Sequence, residues 1–187
     1  MISKFNDKEL YEFKKDIFIF ISGDLHLRIL VPNMVSDTYV EWMNNSQIVQ
    51  FTEQRFHTHT IEKVTDFVSE KLLSKNDFLF GIFYKDRHIG NIKLGPIRWE
   101  HHLSDISYFL GVEAHWGKGI AQKVVSAVSN YAFEKLDIVK INAGYYSLNY
   151  ASARVLEKCG YTLEGAQAEN FIYKGKRIDY ILVAKLK

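Results

Sequence analysis

A single cysteine, Cys159, in a chain of 187 residues excludes an internal disulfide framework. Long apolar runs are missing too: the most apolar early stretch, Phe18-Ile19-Phe20-Ile21, is far too short to span a bilayer and is flanked by Lys14, Lys15 and Asp16. The N-terminus lacks the pattern of a cleavable signal sequence, so the expected location is cytoplasmic, with no membrane partner. An excess of one charge is also absent. Lys and Arg number 24 against 22 Asp and Glu, and the nearest thing to a basic cluster, Lys174, Lys176 and Arg177 around Gly175, reads as a solvated hairpin turn. Nucleic acid is therefore not an expected partner. With two prolines, no proline-rich linker, no internal repeat and no low-complexity tract, the chain reads as one domain, and its 47% hydrophobic content can bury one sizeable core.

What is present is concentrated in Trp116-Gly117-Lys118-Gly119-Ile120-Ala121. Upstream, Ile106 to Val112 is β-branched and aromatic, as strands prefer; downstream, Ile120, Val124, Val125, Val128, Tyr131 and Ala132 recur at helical spacing. The glycines thus sit where a strand gives way to a helix. The first N–H groups of a helix lack partners, its macrodipole is positive there, and glycine lets the main chain approach a ligand closely, so the corner suits a pyrophosphate. Two other nucleotide loops do not fit: G-x-x-x-x-G-K-[ST] is absent, and G-x-G-x-x-G fails at Gln122.

Beyond that helix, Lys140 to Tyr146 reads as a strand, followed by Asn149-Tyr150-Ala151-Ser152 and, further on, Glu157-Lys158-Cys159-Gly160-Tyr161. The two ordered motifs resemble the GNAT superfamily of acyl-CoA-dependent N-acetyltransferases, whose cradle reads [Q/R]-x-x-G-x-[G/A] and whose second block runs from N-x-x-S/A to E-K-x-G-[F/Y]. Gly119, Ala121, Asn149, Ser152, Glu157, Lys158, Gly160 and Tyr161 match. Trp116 replaces the Gln or Arg, as in the RimJ/RimL-like branch of ribosomal-protein alanine acetyltransferases. The resemblance is detailed from about Leu25 to the C-terminus, which divides the chain into an N-terminal extension, 1–24, and an acetyltransferase domain, 25–187.

The periodicity predicts a strand over His26 to Val31, helices over Val35 to Met43 and Ile61 to Leu73, and a hairpin of Phe78 to Tyr84 with His88 to Leu94 turning at Lys85-Asp86-Arg87. In the extension it predicts a short helix near Lys8 to Phe13 and an extra strand or docked arm at Phe18 to Ile21. The fold class is mixed α/β, with a central sheet of six to seven strands and helices on both faces. The resemblance adds a splayed strand pair, Ser107 to Val112 against Lys140 to Tyr146, that opens a slot for the pantetheine arm.

The implied reaction is direct attack of an amine on the thioester of acetyl-CoA, in a ternary complex and without a metal. It needs a pyrophosphate anchor, a base for the ammonium, donors for the developing oxyanion and an acid for the thiolate. The anchor residues are Trp116, Gly117, Lys118, Gly119, Ile120 and Ala121, with backbone of Leu110 and Val112 for the pantetheine. Asn149 and Ser152 lie on one side of a helix. By the resemblance Asn149 contacts the cofactor and Ser152 protonates the thiolate, with helix capping as the structural alternative for Asn149. Many relatives place a tyrosine acid where this chain has Leu156. Glu169 is the first choice for the base, by a spacing to Gly175 and Asp179 similar to the branch's C-terminal hairpin, with Asp105, His101 and His102 as competitors. Trp42, Arg55, Phe56 and Trp99 are the candidate acceptor wall. Cys159, at the end of its helix without an evident His partner, reads as a packed thiol.

The expected acceptor is a small primary amine such as an amino sugar, amino acid or polyamine. The alternatives are a protein N-terminus, a catalytically silent acyl-CoA-binding protein, or a homodimer built through the apolar leader.

Overall fold

Lys85 and Asp86 both adopt positive φ, 50° and 57°, and turn the chain sharply between β3 (Phe78–Tyr84) and β4 (Arg87–Arg98). A two-residue turn with positive φ at both positions matches the twist of the strands it joins. In the computed structural model, which describes residues 5–187, this hairpin supplies the third and fourth strands of an eight-stranded sheet. The other strands are β1 (Phe18–Ser22), β2 (Leu25–Ile29), β5 (Leu103–Leu110), β6 (Lys140–Tyr146), β7 (Thr162–Tyr173) and β8 (Lys176–Leu186), and the order is β1-β2-β3-β4-β5-β6-β8-β7. Every neighbouring pair is antiparallel except β5–β6. That parallel pair needs a crossover, which α4 (Ile120–Lys135) supplies.

Alternation along the strands makes two cores. Phe78, Phe80, Ile82, Ile92, Leu94 and Ile106 pack with Val124, Val125 and Val128 of α4 and with Leu156 of α5 (Tyr150–Lys158). Leu79 and Phe83 point the other way and pack with Tyr39 and Trp42 of α2 (Asp37–Asn44) and Val64 and Val68 of α3 (Ile61–Leu73). Thr60 caps α3, its hydroxyl accepting from Lys63 N at 3.3 Å. Among the described residues no helix is long and apolar enough to cross a membrane.

The sheet has eight strands rather than six to seven because the leader joins it: Phe18, Ile19 and Phe20 pair with Arg28, Leu27 and His26. The helix expected near Lys8 is α1 (Asp7–Lys15), opened by a capping box between Asn6 and Glu9. Lys14 anchors it. Its side chain is fully buried, lies 4.8 Å from the Phe78 ring centroid, and donates to Lys71 O at 3.2 Å, to Asp77 O at 2.6 Å and to Ser74 O. Burial pushes its ammonium down to about 8, opposed by the charge of Asp77. Lys14→Ala strips donors from buried carbonyls at the end of α3 and should cost about 3 kcal/mol of stability, read by urea unfolding. A loss below about 1 kcal/mol, the size of an ordinary net hydrogen bond, would mean the leader docks by its apolar contacts alone.

Candidate active site

β5 and β6 are hydrogen-bonded only from Leu103–Lys140 to Asp105–Asn142. Past that point β5 stays with β4 as far as Leu110–Gly90, while β6 stays with β8 as far as Tyr146–Tyr180. The two strands therefore splay, and the unpaired edges of Ser107 to Leu110 and Ala143 to Tyr146 face a V-shaped slot. Its closed end is fastened by Asp105, whose Oδ1 accepts from Asn142 Nδ2 and from Arg98 Nη2, both at 3.1 Å.

The cradle stands at the open end. Gly117 and Gly119 have φ of 71° and 75°, and a Cβ built on either meets nothing within 4 Å. The first backbone hydrogen bond of α4 runs from Lys123 N to Gly119 O at 3.1 Å, so the N–H groups just before it have no backbone partner among the described residues. Open space beside unpartnered N–H groups fits a pyrophosphate. Lys118 is exposed beside it. Trp116 acts as a strut: its Nε1 donates to Leu110 O at 2.9 Å and ties the cradle turn to the end of β5. Val112 packs against both cores.

On the α4/α5 side of the slot, Asn149 caps α5, its Oδ1 accepting from Ser152 N at 3.1 Å. Capping uses the amide oxygen and leaves the Nδ2 donor for a ligand. The Ser152 hydroxyl lies 3.1 Å from the Tyr108 hydroxyl, across the slot from β5. Burial pushes the Tyr108 phenol up to about 12, opposed by this hydrogen bond, so it stays protonated through neutral pH. Leu156 is 1% exposed and belongs to the core. Cys159 is buried, with Ser126 Oγ and Gln122 O each 3.4 Å from its sulfur, and is a packed thiol as expected.

On the α2/α3 side, Tyr146 turns inward from β6. Its hydroxyl donates to Glu53 Oε1 and accepts from Arg55 Nη1 at 3.0 Å; burial, with the Glu53 carboxylate adding, pushes the phenol up to about 12. Arg55 is a brace: it also donates to Gln50 O, Thr52 O and Ile172 O, and so ties the segment before α3 to the C-terminal hairpin. Tyr180 covers β6 from β8, with its hydroxyl 2.2 Å from where a Cβ on Gly144 would stand. Burial raises its phenol, and Asp105 and Glu53 add to that effect.

Between the sheet and α2/α3 lies a cavity of about 510 Å³ that shares Ser107, Tyr108 and Phe109 with the slot. The sequence-derived acceptor wall is not what lines it. Trp42 is buried against Gly111, where a Cβ would come within 2.0 Å of the indole; Phe56 is exposed; Trp99 donates to Lys75 O and Asn76 Oδ1 at the far end of β4. Glu169 sits on a bulge of β7 with φ 50°, exposed, its N–H held by Asp179 Oδ1 at 2.8 Å. His101 is exposed, and His102 binds Asp137 O at 2.8 Å at the closed end of the sheet. Tyr108, Glu53 and Tyr180 were missed because their partners are remote in sequence: 44 residues separate Tyr108 from Ser152, and 93 separate Glu53 from Tyr146.

This geometry has known counterparts. Residues 24–162 match the acetyltransferase (GNAT) domain. A probable N-acetyltransferase of Bacillus subtilis (strain 168), YjcK, is 38% identical over 128 residues, 67% of this chain and 70% of that protein. Among solved structures, the RimL ribosomal L7/L12 α-N-protein acetyltransferase in complex with coenzyme A superposes with a TM-score of 0.84 at 20% identity, covering 91% of this chain and 98% of that one. Spermidine N-acetyltransferase from Vibrio cholerae, in complex with CoA and spermine, superposes with a TM-score of 0.78 at 21% identity, covering 88% and 96%. The splayed strands, the glycine cradle and the domain match together make this chain a member of the GNAT family of acetyl-CoA-dependent N-acetyltransferases.

Proposed function

We propose that the protein acetylates the primary amine of a small molecule by direct transfer. The observation that carries this reading is the cavity: about 510 Å³, walled by two helices and the sheet and adjoining the slot, it has the size of a small-molecule site. The similar proteins differ in acceptor, one being a ribosomal-protein acetyltransferase and another a spermidine acetyltransferase, so the acceptor is argued from this chain's own walls.

Acetyl-CoA supplies the acetyl group as a thioester: the amine nitrogen forms a bond to the carbonyl carbon, the C–S bond breaks, and its electron pair leaves on sulfur. The N–H groups from Gly117 to Ala121 hold the pyrophosphate, with the Lys118 ammonium beside them. Main-chain groups of Leu110 and Val112, with Asn149 Nδ2, position the pantetheine arm. Ser152 gives its proton to the departing thiolate and is resupplied from Tyr108. The acceptor enters from the α2/α3 side, and a carboxylate takes the ammonium proton. Glu169 is the proposed base: it is exposed at the bulge of the C-terminal hairpin, whereas Glu53 is already engaged by Tyr146 and Arg55.

Release of free CoA over an amine library tests the function. Glu169→Gln should lower kcat by about 100-fold or more, with acetyl-CoA binding unchanged. If Glu53→Gln lowers kcat in this way and Glu169→Gln does not, the base is Glu53 and Glu169 has no part in proton transfer.

A further inference from the structure

The cavity wall has a bias of charge that narrows the acceptor. Its lining includes Lys63 and Lys93 together with His57 and His59, and no aspartate or glutamate lines it. Lys93 meets Asp77 at 3.5 Å, but Asp77 is shared: Lys71 lies 3.6 Å from the same carboxylate, and buried Lys14 donates to its main-chain oxygen. Lys71 is held more closely by Glu70, at 2.7 Å, so two carboxylates serve the three lysines and the Lys93 end of the cavity keeps a surplus of positive charge. Lys63 spends one donor on Thr58 O at 3.1 Å and keeps the others.

A second observation is independent of charge. Asn91, on β4 in the cavity wall, is 3% exposed. Its Oδ1 accepts from His88 Nε2 at 2.7 Å, and burial holds His88 below the usual histidine range, so the ring is neutral with its proton on that nitrogen. The Asn91 amide is oriented by this bond, and its Nδ2 lies against the Tyr39 phenol without a hydrogen bond of ordinary geometry. A buried donor in a cavity wall calls for an acceptor oxygen. Apart from Asp77, the carboxylates on this face lie on the other side: Asp105 is tied to Asn142, and Glu53 to Tyr146. The face is therefore divided, with carboxylates toward β6 and unspent donors and lysines toward β3 and β4.

We infer that the acceptor is an amine that also carries an oxyanion, a carboxylate or a phosphate, and that Lys63, Lys93 and Asn91 Nδ2 recognise it while the amine points toward the slot. A polyamine, cationic along its length, would meet two lysines and no carboxylate in the cavity lining. This inference rests on the acetyl-transfer reading and specifies its substrate class.

The test compares CoA release from matched amines of equal length ending in a carboxylate, a phosphate, a methyl group or a second amine, together with an N-terminal peptide. The expected result is a kcat/KM for one oxyanion-bearing amine at least tenfold above the methyl and diamine members, and the carboxylate and phosphate arms identify which oxyanion it is. Lys63→Glu, an exposed position, should erase that preference through KM while acetyl-CoA binding by calorimetry and thermal unfolding stay as in the wild type. Asn91→Asp, which replaces the orphan donor with an acceptor, should weaken the same substrate in the same way. Preference for the diamine, the neutral amine or the peptide would overturn the inference and leave acetyl transfer standing, as would a preference that Lys63→Glu does not change. Release from no amine at all would overturn both.

Discussion

Gly119→Glu should leave a folded protein that no longer binds acetyl-CoA measurably by calorimetry, a loss of at least 100-fold. Gly119 has φ 75° and begins α4, and a side chain there points into open space. Folding is charged only with the left-handed conformation, about 1–2 kcal/mol for an L-residue. Binding suffers from two stronger effects: the side chain occupies the volume beside the unpartnered N–H groups, and its charge both opposes a pyrophosphate and satisfies the positive end of the helix itself. Gly119→Ala carries the same backbone strain without the charge, so it should bind more weakly than the wild type yet measurably. Equal affinity in wild type and Gly119→Glu would remove the cradle from the cofactor site.

The second large effect is expected at the pair Ser152 and Tyr108. Ser152→Ala should lower kcat with acetyl-CoA by about 100- to 1,000-fold, the usual worth of a positioned acid, with acetyl-CoA binding nearly unchanged. Tyr108→Phe should fall in the same direction, because in the proposed relay the hydroxyl 3.1 Å from Ser152 reprotonates it. A packing role would predict a uniform loss with every donor. An acid role predicts something narrower: with a small acetyl thioester of an acidic thiol, which leaves without a proton, both variants should match the wild type. If Tyr108→Phe behaves as the wild type with acetyl-CoA while Ser152→Ala fails, Ser152 draws its proton from water and Tyr108 only packs.

The cradle, the capped α5 and the β3–β4 hairpin were legible in the sequence because each is a local event. A strand-to-helix glycine pair, an Asn three residues before a Ser and a polar turn between apolar runs all act within one or two turns of backbone. The hairpin boundary at Tyr84 and the span of α3 from Ile61 to Leu73 agree with their sequence signals for this reason. Arg55 and Trp99 show the limit. Both have the chemistry of a ligand wall, yet Arg55 gives its donors to main-chain oxygens and Tyr146, and Trp99 gives its own to Lys75 and Asn76. Whether a polar side chain is spent on the protein depends on neighbours that no local window contains.

By itself, the sequence determined the mixed α/β class, the order of most elements and the position of the glycine corner at the start of α4, since hydrophobic period, turn chemistry and helix ends are short-range properties of the chain. Tertiary structure alone decided that β5 and β6 part beyond Asp105 and Asn142, that the leader adds the eighth strand, that Tyr108 reaches Ser152, and that lysines and an orphan amide gather around one cavity. Strand pairing and side-chain convergence join residues tens of positions apart, and their energies exist only once the sheet has closed.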